Sequence, residues 1–79
     1  MVRRNFGRTS RKRVEELCKL FEMRLVRHQR LGNRKDYYYV YTIIESNGNR
    51  VADCEALGVA YRKLVNRCNE IVDKMRKDI

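Results

Sequence analysis

The sequence lacks the features that mark several large classes of protein. It has 79 residues, no proline and only four glycines, and it contains no internal repeat or low-complexity tract. No apolar run approaches the ~20 residues that span a bilayer, and no apolar stretch follows the charged N-terminus as it would in a signal peptide. We therefore expect one small domain, located in the cytoplasm and without a membrane segment.

Cysteine and histidine are too few and too scattered for a disulfide framework or a metal site. The cysteines are Cys18, Cys54 and Cys68, no two of which form a C-x-x-C pair, and His28 is the only histidine. Three cysteines at wide spacing are typical of reduced, buried thiols. The pattern predicts a reducing compartment, no bound metal and no cofactor.

The residue groupings that support catalysis are also missing. The sequence has no Gly-rich phosphate loop and no local motif for a Ser–His–Asp or Cys–His arrangement. Its ten carboxylates are scattered, and most are explained as helix caps or surface groups. We predict that the protein is not an enzyme.

Positive charge is abundant and lies in one half of the chain. The formal net charge is +9. Residues 1–35 hold twelve Lys and Arg residues against three glutamates, whereas residues 36–79 hold seven residues of each sign. A field of one sign attracts polyanions and speeds their encounter. The expected partner is therefore nucleic acid, either DNA or RNA, contacted mainly through its phosphates.

The candidate contacts are basic residues of this first half, where arginines outnumber lysines by nine to three. The planar guanidinium group suits phosphates and base edges better than a point charge does. A charged face that serves only solubility is the alternative. The candidates are Arg3, Arg4, Arg8, Arg11, Lys12, Arg13, Arg24, Arg27, Arg30, Arg34 and Lys35.

Local patterns predict a flexible basic arm over residues 1–8 and a single α+β domain over residues 9–79. Apolar residues at spacings of four and three predict a first helix from about Ser10 to Leu31. Thr9 or Ser10 would cap its start, and Gly32 with Asn33 would end it. The same periodicity predicts a second helix over about residues 54–78, with an apolar stripe formed by Leu57, Tyr61, Leu64, Cys68, Ile71 and Met75.

A β-hairpin is predicted between the two helices. An aromatic and β-branched run over residues 37–45 is typical of a strand, Asn47–Gly48 favours a two-residue type I′ turn, and residues 49–54 form the return strand. That turn would place Ile43 opposite Ala52 and Glu45 opposite Arg50.

The predicted hairpin has apolar groups on both faces, and an isolated two-stranded hairpin is marginal in water. We therefore expect a homodimer, in which two long amphipathic helices cover one face and a partner's hairpin covers the other.

Four tyrosines of the first predicted strand have two interpretations. Aromatic rings on an exposed strand can stack on bases. Alternate rings can instead belong to the core or to a subunit interface. The residues concerned are Tyr37, Tyr38, Tyr39 and Tyr41.

The predicted order of helix, hairpin and helix does not match that of a zinc finger, a ribbon-helix-helix protein, a homeodomain or a double-stranded-RNA-binding domain. The leading hypothesis is a nucleic-acid-binding dimer, such as a small regulator or accessory factor of a phage, virus or plasmid. The alternative is a small inhibitor or adaptor that docks on an acidic or nucleic-acid-binding protein, with basic residues steering the encounter and tyrosines anchoring it.

Overall fold

A computed structural model describes residues 10–34 and 36–77. The predicted arm, residues 1–8, lies outside the described residues, as does Lys35. The strands form one antiparallel sheet in the order β1-β2-β3. The elements are α1 (Arg11–Leu20), β1 (Arg24–Leu31), β2 (Tyr37–Ile44), β3 (Arg50–Glu55) and α2 (Leu57–Lys77).

The predicted architecture of a two-stranded hairpin between two long helices is wrong. Residues 24–31, predicted to be the second half of the first helix, form β1 and pair with β2 from Arg24↔Ile44 to Leu31↔Tyr37. As a strand, this segment forms eight residue pairs with β2. The stability gained from this tertiary pairing exceeds the local preference for a helix that the spacing of its apolar residues indicates. Since the element order is α1-β1-β2-β3-α2, the predicted mismatch with four known domain classes, which was based on the order helix, hairpin and helix, does not apply.

Helix α1 begins where the sequence predicts but is much shorter. The Ser10 hydroxyl accepts a hydrogen bond from the Arg13 backbone N–H at 3.2 Å and so caps the first turn. At the other end, the Met23 N–H donates to the Cys18 carbonyl at 2.7 Å, and Glu22 between them adopts a left-handed φ of 57°. A left-handed residue followed by such a bond ends many helices, although glycine usually takes the position.

The hairpin formed by β2 and β3 is present where the Asn–Gly pair predicts it, but its turn is of a different type. Within the turn only Gly48 has a positive φ, of 93°. The Asn47 side chain accepts the Asn49 N–H at 2.8 Å, and the Glu45 N–H bonds the Asn49 carbonyl at 2.8 Å. The loop therefore has three residues, with glycine in the left-handed position after a turn.

The longer loop changes the register of β2 and β3. The predicted pairing of Ile43 with Ala52 is confirmed. The prediction that Glu45 lies opposite Arg50 is wrong, because Arg50 pairs with Ile44. Irregular steps on either side of Ile43 then bring Glu55 opposite Tyr41.

The second predicted helix is present as α2. Its predicted apolar stripe is buried at Leu64 and Cys68 and partly buried at Tyr61 and Ile71. Met75, the last residue of that stripe within the described chain, is 62% exposed.

Both helices lie on one face of the sheet, where they enclose the core. Because side chains alternate along a strand, the buried Tyr41 and Ile43 face the helices and the even-numbered residues of β2 face away. We call the face that carries Val40, Thr42 and Ile44 the open face, since neither α1 nor α2 packs on it. The core residues are Val14, Cys18, Met23, Tyr41, Ile43, Ala52, Ala60, Leu64 and Cys68.

One ion pair ties the β2–β3 turn to α2. The Glu45 side chain is only 8% exposed and accepts hydrogen bonds from Nε and Nη2 of Arg67. Arg67 also donates to Glu70 at 3.1 Å. The hydrogen bonds from Arg67 lower the pKa of Glu45 below its ordinary value, against the opposing effect of burial.

Replacing Leu64 by alanine should test the assigned core. The Leu64 side chain has no exposed surface, so its truncation should lower the free energy of unfolding by about 2–5 kcal/mol in a urea titration. Leu20→Ala is the matched control, because Leu20 is 75% exposed and its truncation should change stability by less than about 0.5 kcal/mol. Equal losses in the two variants would contradict this core.

Glu45 should make the fold sensitive to acid. A carboxylate whose pKa is depressed by folding stabilises the fold above its unfolded pKa and loses that contribution as pH falls through the folded value. Stability should therefore decline as pH drops below the ordinary glutamate value of 4.5. Glu45→Gln should flatten this decline in urea titrations at several pH values, whereas Glu70→Gln, at a 67% exposed position, should not. A decline of unchanged size in Glu45→Gln would assign it to other groups.

Candidate nucleic-acid interface

The first two strands extend beyond β3. β3 ends with Glu55 opposite Tyr41, so the four pairs from His28↔Val40 to Leu31↔Tyr37 have no third strand beside them within the described residues. None of these residues belongs to the buried core. We call residues 28–40, which include the loop between the strands, the distal ribbon.

An arginine lies beside a tyrosine on each face of the sheet, one within the ribbon and one at its base. On the helix side, the guanidinium of Arg27, just before the ribbon, lies 4.4 Å from the centroid of the Tyr39 ring. On the open face, Arg30 is directly opposite Tyr38. Arg34 is exposed in the loop at the tip. Guanidinium groups bind phosphates and aromatic rings stack on bases, so this combination suits a nucleotide.

The loop of the ribbon is closed by a short backbone contact. The Gly32 N–H donates to the Asp36 carbonyl at 2.6 Å, and a Cβ at Gly32 would lie 3.2 Å from that oxygen. Glycine therefore permits the close approach that joins the two strands. Asp36 is also the one acidic residue of the ribbon.

The first turn of α1 supplies a second group of cations. Arg11, Lys12 and Arg13 are all exposed. Arg11 forms an exposed ion pair with Glu15 at 3.2 Å, which contributes little to stability and leaves the arginine accessible. Lys12 and Arg13 form no ion pair with another described residue.

The structure distributes the basic residues of the predicted first helix over several surfaces instead of along one long helix. Arg24 and Arg30 lie on the open face by the alternation of β1, Arg27 lies on the helix side, and Arg34 lies at the tip. All eight cations of residues 11–34 are exposed, and of these Arg11 alone forms an ion pair with another described residue. The remaining predicted contacts, Arg3, Arg4, Arg8 and Lys35, lie outside the described residues.

The four tyrosines do not share a surface. Tyr41 is 7% exposed and lies in the core, which leaves no ring face for a base. Tyr37 and Tyr39 have the same parity as Tyr41 and lie on the helix side, at 65% and 43% exposure. Tyr38 lies on the open face and is 50% exposed. Three rings, those of Tyr37, Tyr38 and Tyr39, are therefore exposed enough to stack on a base, and they lie on two different faces of the sheet.

The open face has a polar network that the sequence does not predict, because the helical spacing of residues 24–31 hides the strand β1 that contributes to it. Thr42 is only 3% exposed although neither helix covers it. Its Oγ1 lies 3.1 Å from Nε2 of His28 and accepts the Cys54 backbone N–H at 3.1 Å. Nη2 of Arg30 donates to Sγ of Cys54 at 3.3 Å. The network therefore connects side chains of all three strands.

A shallow cavity of about 160 Å³ lies beside this network. Val26 and Ile44, both half-buried, supply apolar surface. His28, Arg50 and Asp53 supply polar groups, and Arg50 donates to Asp53 at 2.9 Å. The cavity can thus offer an apolar floor and both donors and acceptors to one small planar group.

A larger groove of about 480 Å³ lies between α1 and β1. Its lining contains charges of both signs. Lys12, Lys19 and Arg24 are positive, and Glu15 and Glu16 are negative. Adjacent charges of opposite sign weaken the attraction for a polyanion, so this groove is a poorer candidate than the ribbon.

Within residues 10–34 and 36–77, no group of three or more His, Cys, Asp or Glu residues is placed to hold a metal ion. Neither α1 nor α2 combines the length and the apolar surface needed to cross a membrane.

No family model, curated protein or solved structure matches the chain. The homodimer, the cytoplasmic location and the absence of enzymatic activity stay predictions.

Thiol reactivity should distinguish Cys54 from the other two cysteines. Cys54 is exposed, whereas Cys18 and Cys68 are buried. Burial raises the pKa of Cys18 to about 11 and also raises that of Cys68, so both thiols should stay protonated and slow to react at neutral pH. A thiol-reactive disulfide reagent should modify one cysteine quickly in the native protein and all three after denaturation. Cys54→Ser should remove the fast phase, and rapid modification of Cys18 or Cys68 would contradict their burial.

Proposed function

We propose that the protein binds nucleic acid through the distal ribbon, with the first turn of α1 as a second basic contact. The observation that carries this proposal is the ribbon, which extends past β3 and bears exposed tyrosines on both faces, with Arg30 on the open face and Arg27 at its base on the helix side. A structural role alone does not require exposed aromatic rings and unneutralised arginines at that position.

Charge supports the proposal. Arg27, Arg30 and Arg34 lie in or next to the ribbon, where Asp36 is the one acidic residue. None of these arginines forms an ion pair with another described residue. Their positive charge is therefore available to phosphates, and each phosphate neutralised would release condensed counterions.

Shape supports it as well. A two-stranded ribbon is one of the two elements that the major groove of B-form DNA, about 12 Å wide, admits. Arginine side chains on both faces of such a ribbon can reach phosphates on either side and base edges between them. Exposed tyrosines add the capacity to stack on bases wherever these are unpaired.

The proposal predicts a strong dependence of affinity on salt. Fluorescence anisotropy with labelled oligonucleotides should give micromolar or tighter binding at 50 mM salt, and a loss of about 10³-fold at 200 mM if around six phosphates are contacted. Arg27→Gln combined with Arg34→Gln should weaken binding about tenfold or more at 50 mM and reduce the salt slope by about two units.

Lys74→Gln combined with Arg76→Gln is the matched control. It removes the same two charges from exposed positions in the last turn of α2. Equal weakening in both double variants would mean that only net charge matters and would reject the ribbon as the contact surface. Absence of binding at micromolar protein, or affinity independent of salt, would reject nucleic acid as the partner.

A further inference from the structure

We infer that the open face of the sheet binds a single-stranded segment of nucleic acid, with one base on Tyr38 and another in the cavity beside Thr42. This inference rests on the proposed function. It extends the contact surface from the ribbon onto the open face and specifies the form of nucleic acid that binds there.

Several side chains of the open face are already held in place by hydrogen bonds to one another. Thr42 holds His28 and Cys54 through hydrogen bonds of 3.1 Å, and Arg30 reaches from β1 across β2 to Cys54 on β3. An ordered surface loses less conformational entropy when a ligand binds than a surface of free side chains does. The guanidinium of Arg30 is thereby held over the sheet, where a phosphate of a bound strand would pass.

Tyr38 provides the stacking position. Its ring is 50% exposed on the open face and is directly opposite Arg30 on the neighbouring strand. Every base has an aromatic face, so stacking on a tyrosine is tolerant of sequence. Bases in a duplex already stack on one another, and an unpaired base therefore gains more from Tyr38.

The cavity provides the second position. Its volume of about 160 Å³ suits one planar ring system better than a base pair, with Val26 and Ile44 as the floor and His28 and Asp53 at the polar side. Thr42 lies four residues along β2 from Tyr38, or about 13 Å at 3.3 Å per residue. The two positions would therefore hold different bases of one strand.

Charge favours a polyanion over a second copy of this chain. Arg24 and Arg30 flank the open face without an ion pair to another described residue, and its acidic residue Asp53 is already bonded to Arg50. A single strand would bring phosphates to these arginines. A second copy docked face to face would bring the same arginines together, which is unfavourable.

The experiment compares one oligonucleotide of about 12 nucleotides as a single strand and as a fully paired duplex, by fluorescence anisotropy at low salt. Tyr38→Ala should weaken single-strand binding about tenfold or more and leave duplex binding nearly unchanged. Tyr37→Ala is the matched control, since it removes the same ring from the adjacent residue, which is 65% exposed and lies on the opposite face. Equal effects of the two variants on single-strand affinity would overturn the inference.

Cys54 offers a second measurement on the unaltered protein, because it lines the cavity and is the exposed cysteine of the three. A saturating single strand should slow the alkylation of Cys54 by iodoacetamide at least severalfold, and the duplex should slow it less. An unchanged rate with the single strand bound would overturn this inference while leaving the proposed function in place if the duplex still binds.

Two further outcomes are also decisive. If neither oligonucleotide binds at micromolar concentration, the proposed function and this inference fail together. If Cys54 becomes protected as the protein concentration rises without any oligonucleotide, a second copy covers the open face, and the inference is wrong.

Discussion

The pairing of β1 with β2 is the interaction on which the rest of the structure depends. Eight residue pairs join these strands, more than join β2 to β3. This ladder turns residues 24–31 away from α1, places β2 in the centre of the sheet, and extends past β3 as the distal ribbon. It also sets which residues of β2 face the helices, so that Tyr41 and Ile43 enter the core while Tyr38 and Thr42 remain on the open face.

The same pairing rearranges the positive charge. In a continuous helix, Arg24, Arg27 and Arg30 would lie three residues apart along one side. In a strand, the odd-numbered arginine points to the helix side and the two even-numbered ones point to the open face. The cations remain exposed and largely free of acidic partners, so their attraction for a polyanion persists. What changes is the shape presented to that polyanion, which becomes a narrow ribbon and a flat sheet instead of a cylinder.

Local signals in the sequence predicted the parts of the fold that local forces decide. The cap at Ser10, the hairpin at Asn47–Gly48 and the apolar stripe of α2 follow from hydrogen bonds or burial within a few residues, and all three are present. β1 was not predicted, because Leu25, His28 and Leu31 fit a helical spacing, whereas the benefit of the strand comes from pairing with residues 37–44 on the other side of a loop. The polar network around Thr42 could not be found for the same reason, since its members come from three strands.

By itself the sequence determined the excess of positive charge in the first 35 residues, the position of the hairpin formed by β2 and β3, and the apolar stripe of α2. These properties depend on residue type and on short-range spacing. Only the tertiary structure decided where α1 ends, which tyrosines are buried, and how Arg30, Tyr38, Thr42 and Cys54 come to share one face. Those outcomes depend on which distant segment completes the hydrogen bonds of β2, and no local pattern contains that information.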